Sequence, residues 1–402
     1  MAQVYPFRAF RYNPERAPFD RVLTQPYDKI SPAMQEKYYA ADPHNLITVE
    51  KGRAYPSDTP QNNVYTRAQA AIEDWIRNQV VVQDPAPSFY SYTQEYSVPG
   101  TEERRMRRGF IGAGKLEEYS AGVIFRHEHT LSGPKADRLE LLRHTKTHTG
   151  QLFMLYSDAE KRIDGILAEA ESAEAPATEM RDEYGVRHRL WVIADPQRVA
   201  AIQAAMENQK LVIADGHHRY ETALNYLGEH EGVGASAPER YTLAFLCALD
   251  DPGLRIFATQ RIVHGADAAL ESAIARSFDV SEIDRGALGD LQPGIVIAQG
   301  GKFRALELRA GTDVSALPGA WRTLPVALAE EFLVKPAREA GADITYEHDT
   351  ERAIAAGTAI LLRAVDPATL QRVADAGEKM PQKTTYFYPK VPAGLVVRTL
   401  DV

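Results

Sequence analysis

The stretch that decides the fold is LVIADGHHRYETALNY, residues 211–226. Leu211 to Ala214 form an apolar run of strand character, Gly216 permits a sharp turn, and Glu221 to Leu224 suit the first turns of a helix. Upstream, HRLWVIADP (188–196) reads as a strand and RVAAIQAAMEN (198–208) as a helix. Downstream, the glycine- and alanine-rich EHEGVGASAPER (229–240) reads as a loop before the strand YTLAFLCALDD (241–251). Strands alternating with helices around one motif predict the α/β class with a mixed α+β sheet.

Working outward, YTRAQAAIEDWI (65–76) spaces Ala68, Ala71, Ile72, Trp75 and Ile76 as one apolar helix face. SFYSYTQEYSV (88–98) and RRGFIGAGKLEEY (107–119) read as an antiparallel strand pair, and NLITVEKG (45–52) as strand-like. Beyond Gly265, helical 266–278, strand-like 294–301 and 302–308, and helical 321–340 predict a second α/β unit. The expected organisation is therefore a body over 1–250 carrying the motif and a C-terminal unit over 251–402. The tail of that unit, KMPQKTTYFYPKVPAGLVVRTL (379–400), is expected to dock and return toward the site.

The chain has 402 residues, 44% hydrophobic and 25% charged, enough for a sizeable core. Its formal net charge of -9 disfavours a general nucleic-acid binder, which needs a strong basic field. Cys247 is the one cysteine, so the chain builds no intrachain disulfide and no cysteine-cluster metal site, and its apolar surroundings predict a buried thiol. No window suits a membrane helix and the N-terminus lacks a secretory pattern, so a cytoplasmic location is the expectation.

The chemistry concentrates in two places. A strand, a glycine turn and a helix start present N–H groups and the positive end of a helix dipole, which attract an anion. Gly216, His217, His218 and Arg219 would hold phosphate there, and Asp215 would orient a histidine or a metal ion. The rival reading makes Asp215 a simple cap and the histidines filler. The second place is FRHEHTLSGPKADR (125–138), in which Glu128 suits a general base, His127 and His129 suit a two-histidine metal site, and Lys135 and Arg138 suit phosphates. RHTKTHTG (143–150) reads as a helix end. In the tail, Lys379, Gln382, Lys383, Thr384, Thr385 and Lys390 would close over an anion, while Tyr27, Asp28 and Glu50 are weaker candidates near the N-terminus. Neither a Walker loop nor a kinase glycine-rich loop is present.

PFRAFRY (6–12), QPYDKIS (25–31), the HEHT segment, ADGHHRYETA (214–223) and MPQKTTYFYPK (380–390) together resemble the domain-of-unknown-function family numbered 1015, over essentially the whole chain. DGHHR alone is similar to the turn of the ParB and sulfiredoxin superfamily that holds nucleotide phosphates, including its free-serine kinase branch. The resemblance implies a ParB/sulfiredoxin-like nucleotide-binding core followed by a second α/β unit. It also implies a nucleotide-dependent phosphotransferase acting on serine or phosphoserine, with ATP or ADP and Mg²⁺ as cofactors. In that reading Asp215 to Arg219, Lys135, Arg138, Lys383 and Thr384 bind phosphate, and Glu128, Asp28, His217 and His218 are the catalytic candidates. Two departures stand out: histidines occupy the place of sulfiredoxin's cysteine, and Ala258 and Gln260 replace a proline and a histidine usual in the family segment around RIFATQRIVHG. The alternatives are a phosphoserine-type phosphatase, a nucleotide-binding regulatory protein in which the ligand closes a lid or a homodimer, and a hydrolase with metal on His127 and His129.

Overall fold

The computed structural model describes residues 1–126, 133–230, 232–290, 294–378 and 380–401. The chain forms two compact units. The first comprises Met1–Phe125, Thr130–Leu254 and Pro389–Val402; the second comprises Arg126–His129 and Arg255–Tyr388.

In the first unit an amphipathic helix, α1 (Val64–Arg77), buries Ala68, Ile72 and Trp75, the face its spacing predicts. Asn63 caps it by accepting from the N–H groups of Tyr65 and Thr66, and Thr66 returns the bond to complete a capping box. The core of a nine-stranded sheet is built from β1 (Phe89–Ser97), β2 (Arg104–Lys115), β3 (Leu152–Tyr156), β4 (Arg187–Ile193), β5 (Leu211–Asp215) and β6 (Tyr241–Ala248). Their spatial order is β5-β3-β6-β2-β1-β4, with β3 and β6 parallel and the other neighbours antiparallel. The fold is thus mixed α/β. The expected pair over 88–98 and 107–119 is β1 with β2.

Two helices matter for the site, α2 (Gly133–Thr145) and α3 (His217–Gly228), and they pack on one another. α3 turns Tyr220 and Ala223 into a core shared with Phe110, Met154, Ile213 and Leu246. The Tyr220 hydroxyl donates to the Glu117 carbonyl at 2.7 Å and accepts from the Glu117 N–H at 3.0 Å, so this buried polar group is paired in both senses. Cys247 in β6 is fully buried, as its sequence context predicts.

One expected strand is absent: Ile47–Glu50, within NLITVEKG, is a single helical turn. The Asn45 side chain accepts from the N–H of Ile47 at 2.9 Å and so starts a turn, overriding the β-branched residues that follow.

The second unit carries a six-stranded antiparallel sheet and a ribbon pairing Arg255–Phe257 with Tyr386–Tyr388. Arg261 is completely buried there, its Nε donating to Glu330 at 2.8 Å. Gln260 accepts from the Leu362 N–H at 2.7 Å, a structural bond. Among the described residues no helix is long and apolar enough to cross a membrane.

Candidate functional site

At the end of β5 the chain passes through Gly216 in the left-handed region, φ 94° and ψ 24°. A Cβ at this position would lie 2.9 Å from Leu152 Cδ2 and 3.0 Å from Arg219 Nη2, so conformation and space both require glycine. α3 starts at His217, and no side chain caps its N-terminus. Its first turn carries N–H groups that the intrahelical ladder does not use, together with the positive end of the helix dipole. His217 is buried and His218 half-buried.

Arg219 folds back over the turn. Its Nη1 donates to the Gln151 carbonyl at 2.6 Å, and its Nη2 lies 3.3 Å from Asp215 Oδ2. Lys390, from the C-terminal segment, donates to Asp215 Oδ1 at 2.7 Å. Burial alone would raise the Asp215 pKa; the Lys390 and Arg219 charges, with His217 adding to them, overcome it and hold the group well below the usual carboxylate range. Asp215 is therefore ionised and shared between two cations.

The opposite wall comes from the helical turn at Ile47–Glu50 and from α2. Glu50 is only 3% exposed, and its Oε2 accepts from the Thr149 hydroxyl at 2.6 Å. Arg138 donates from Nη1 to the Glu50 carbonyl at 2.8 Å, lies 3.9 Å from Glu50 Oε1, and pairs through Nη2 with Asp137 at 2.7 Å. Its guanidinium stacks over the Tyr27 ring at 4.4 Å. Tyr27 is pushed up to about 12 by burial and the nearby Asp28, against the opposing pull of Arg219 and Arg138. Measured from a Cβ placed on Gly150, Arg219 Nη1 is at 3.1 Å and Glu50 Oε1 at 3.6 Å, so the guanidinium and the carboxylate converge on one spot.

Between these walls lies a cavity of about 50 Å³ lined by Glu50, Arg138, Thr149, Arg219, Thr222 and His148, among others. At roughly 10–15 Å³ for each water it holds a few waters, or a group the size of one phosphate, and not a whole nucleotide. His148 is pushed down to about 3 by burial and by Arg398, so it is neutral at physiological pH.

The structure gathers some of the sequence candidates and not others. Asp215, Gly216, His217, His218, Arg219 and Arg138 belong to this neighbourhood. Lys135 pairs with Glu221 of α3. Asp28 is exposed on the turn Tyr27–Lys29. Lys383 and Thr384 lie in the second unit, Lys383 exposed with φ 56° and Thr384 buried with its hydroxyl donated to the Pro381 carbonyl at 2.6 Å. Glu128, His127 and His129 lie outside the described residues, as does Lys379. Glu50, Gln151 and Lys390 are the residues the sequence reading undervalued. The signal for Glu50 was its place after Asn45, a turn-starting residue; for Lys390 it was the family-like YPK. Gln151 had none.

Among solved structures the chain is similar to a conserved hypothetical protein from Pyrococcus furiosus, at 15% identity and TM-score 0.37, covering 69% of this chain and 93% of that one. It is similar to a free serine kinase in complex with AMP, at 14% identity and TM-score 0.36, covering 68% and 89%. It is also similar to SbnI with a C-terminal truncation from Staphylococcus aureus, at 11% identity and TM-score 0.37, covering 70% and 84%. Scores this low transfer no chemistry from one chain to another. No curated protein matches the chain. A family model described as "Protein of unknown function (DUF1015)" matches residues 4–327, most of the chain, and the protein belongs to that family.

Proposed function

We propose that the protein is a nucleotide-dependent phosphotransferase acting on a small hydroxyl amino acid, serine or, in reverse, phosphoserine. The observation that carries this reading is the convergence of Arg219, Arg138 and Glu50 on one cavity beside the N-terminus of α3. Two guanidinium forks and a helix dipole favour phosphate oxygens, while a buried carboxylate accepts the proton of a hydroxyl. The choice of serine and of a nucleotide comes from the sequence resemblance of DGHHR to the free-serine kinase branch, and with it the reading of β5, Gly216 and α3 as a ParB/sulfiredoxin-like core.

In this reading the terminal phosphate sits in the cavity, against Arg219 and the first turn of α3, and the rest of the nucleotide extends outside it. Glu50 Oε1 accepts the hydrogen bond of the substrate hydroxyl and aligns its oxygen on the phosphorus. The new O–P bond forms as the bond to the leaving phosphate breaks, and the hydroxyl proton passes to Glu50. Arg138 stabilises the charge that develops on the transferred group. Glu50 thus takes the role first given to Glu128 or Asp28. Among the described residues no cluster of three metal-ligating side chains exists. Mg²⁺ would be held mainly by the nucleotide phosphates and would neutralise their charge.

The cavity's small volume is the observation that favours the second reading, a phosphatase acting on phosphoserine with water as acceptor. Calorimetric titration of the full chain with ADP and Mg²⁺ tests the first. Arg219→Ala is expected to weaken ADP binding roughly tenfold to hundredfold, the scale of a lost charge-assisted pair. Unchanged affinity in that variant rules the site out.

A further inference from the structure

Asp215 is an awkward neighbour for an anion site. It is a carboxylate directly before the turn, its side chain 25% exposed, and its negative charge opposes any phosphate brought to α3. The fold answers this with a lysine distant in sequence. The segment carrying Lys390 is fixed at three backbone carbonyls by buried side chains: Arg107 Nη2 to Pro389 at 2.6 Å, Gln94 Nε2 to Lys390 at 2.8 Å and Gln151 Nε2 to Pro392 at 2.9 Å. Gln94 and Arg107 are fully buried and Gln151 is 2% exposed, so the segment has little room to shift. Lys390, its side chain 10% exposed, presents its ammonium to Asp215 Oδ1, leaving Oδ2 at the longer 3.3 Å from Arg219. The Gln151 carbonyl takes the other arm of Arg219, so one residue holds both the segment and the arginine.

We propose that Lys390 is a positioning residue of the anion site: it takes up most of the Asp215 charge, so that the Arg219 guanidinium is held by its own carboxylate only at the longer 3.3 Å and can turn to a phosphate. This rests on the anion-site part of the function proposed above. Asp215, Lys390 and Arg219 together carry one net positive charge, and removing the ammonium leaves none. The geometry also orders the effects. Losing Lys390 alone must hurt anion binding, losing Asp215 alone must not, and losing both must restore what the first loss removed.

The test is calorimetric titration of the full chain with pyrophosphate, and separately with ADP, on wild type, Lys390→Met, Lys390→Arg, Asp215→Asn and the double variant Asp215→Asn/Lys390→Met. Lys390→Met is expected to weaken pyrophosphate roughly tenfold to hundredfold. Lys390→Arg is expected to keep most of the affinity, Asp215→Asn to bind at least as tightly as wild type, and the double variant to recover most of the loss. A lysine that merely docks the segment gives equal losses in Lys390→Met and the double variant, and that result overturns the proposal. Wild-type affinity in Lys390→Met overturns it too. Should Lys390→Met fail to fold, Asp215→Asn decides, since weaker binding there refutes the charge argument. Wild type that binds neither probe sinks both this inference and the function above. Pyrophosphate binding that follows the charge pattern without phosphate transfer sinks only the function, and transfer that ignores Lys390 sinks only the inference.

Discussion

Replacing Gly216 with alanine tests whether the turn at the end of β5 is shaped as described. At φ 94° an L-residue pays about 1–2 kcal/mol for the left-handed conformation. The new Cβ would also stand 2.9 Å from Leu152 Cδ2, and Leu152 is 1% exposed and hemmed into the core. Overpacking of that kind costs about 1–3 kcal/mol. The third contact, Arg219 Nη2 at 3.0 Å, is the far end of a flexible side chain and gives way, at the expense of its bonds to Gln151 and Asp215. The total is about 2–5 kcal/mol. With a urea slope of about 3 kcal/mol per molar for a unit this large, the unfolding midpoint falls by about 1 M. Trp75 and Trp191, both buried in the first unit, report that transition by fluorescence. Because Arg219 is displaced, ADP affinity falls in the same variant. A midpoint shift within experimental error together with unchanged ADP affinity refutes the reasoning.

Glu50→Gln keeps an acceptor for the Thr149 hydroxyl but loses the basic oxygen, so phosphate transfer is expected to fall by about 10²–10⁴ while ADP binding stays within a few-fold; single-turnover assays alongside calorimetry separate the two. Asp251 is pushed up to about 6 by burial, against bonds from the Arg108 and Gly253 N–H groups, and a carboxyl carbon NMR titration should find its midpoint near there; a midpoint below 4.5 contradicts this. The folded state holds that proton more tightly than the unfolded chain. The group therefore costs stability above pH 6, and the cost fades as pH falls from about 6 toward 4. Cys247 is fully buried and its thiol is pushed up by burial and by Asp251, so a maleimide should label it only in denaturant; rapid labelling of the native protein contradicts the packing of β6.

The central supersecondary unit was legible because its signals are local. The apolar run at 211–214, the glycine and the helix formers after it dictate strand, turn and helix, and β5, Gly216 and α3 follow them. Helix α1 was equally plain from its apolar spacing. NLITVEKG misled, because β-branched residues suggested a strand while Asn45, a single hydrogen-bonding side chain, set a helical turn. The site was only half legible. Arg219 and Gly216 declare themselves by lying within one short motif, whereas Glu50, Gln151 and Lys390 reach the same place from 169, 68 and 171 positions away from Arg219. No local pattern encodes such a meeting; it depends on where the sheet brings Thr149 and Gln151 and on how Arg107 and Gln94 fasten the C-terminal segment.

The most direct measurement is phosphorus NMR of the purified chain with Mg²⁺ and phosphoserine, without nucleotide and then with ADP or AMP. The account predicts that phosphoserine persists alone and that its phosphate appears on the nucleotide when one is added. Inorganic phosphate released in the nucleotide-free tube, or spectra unchanged in every tube, contradicts it.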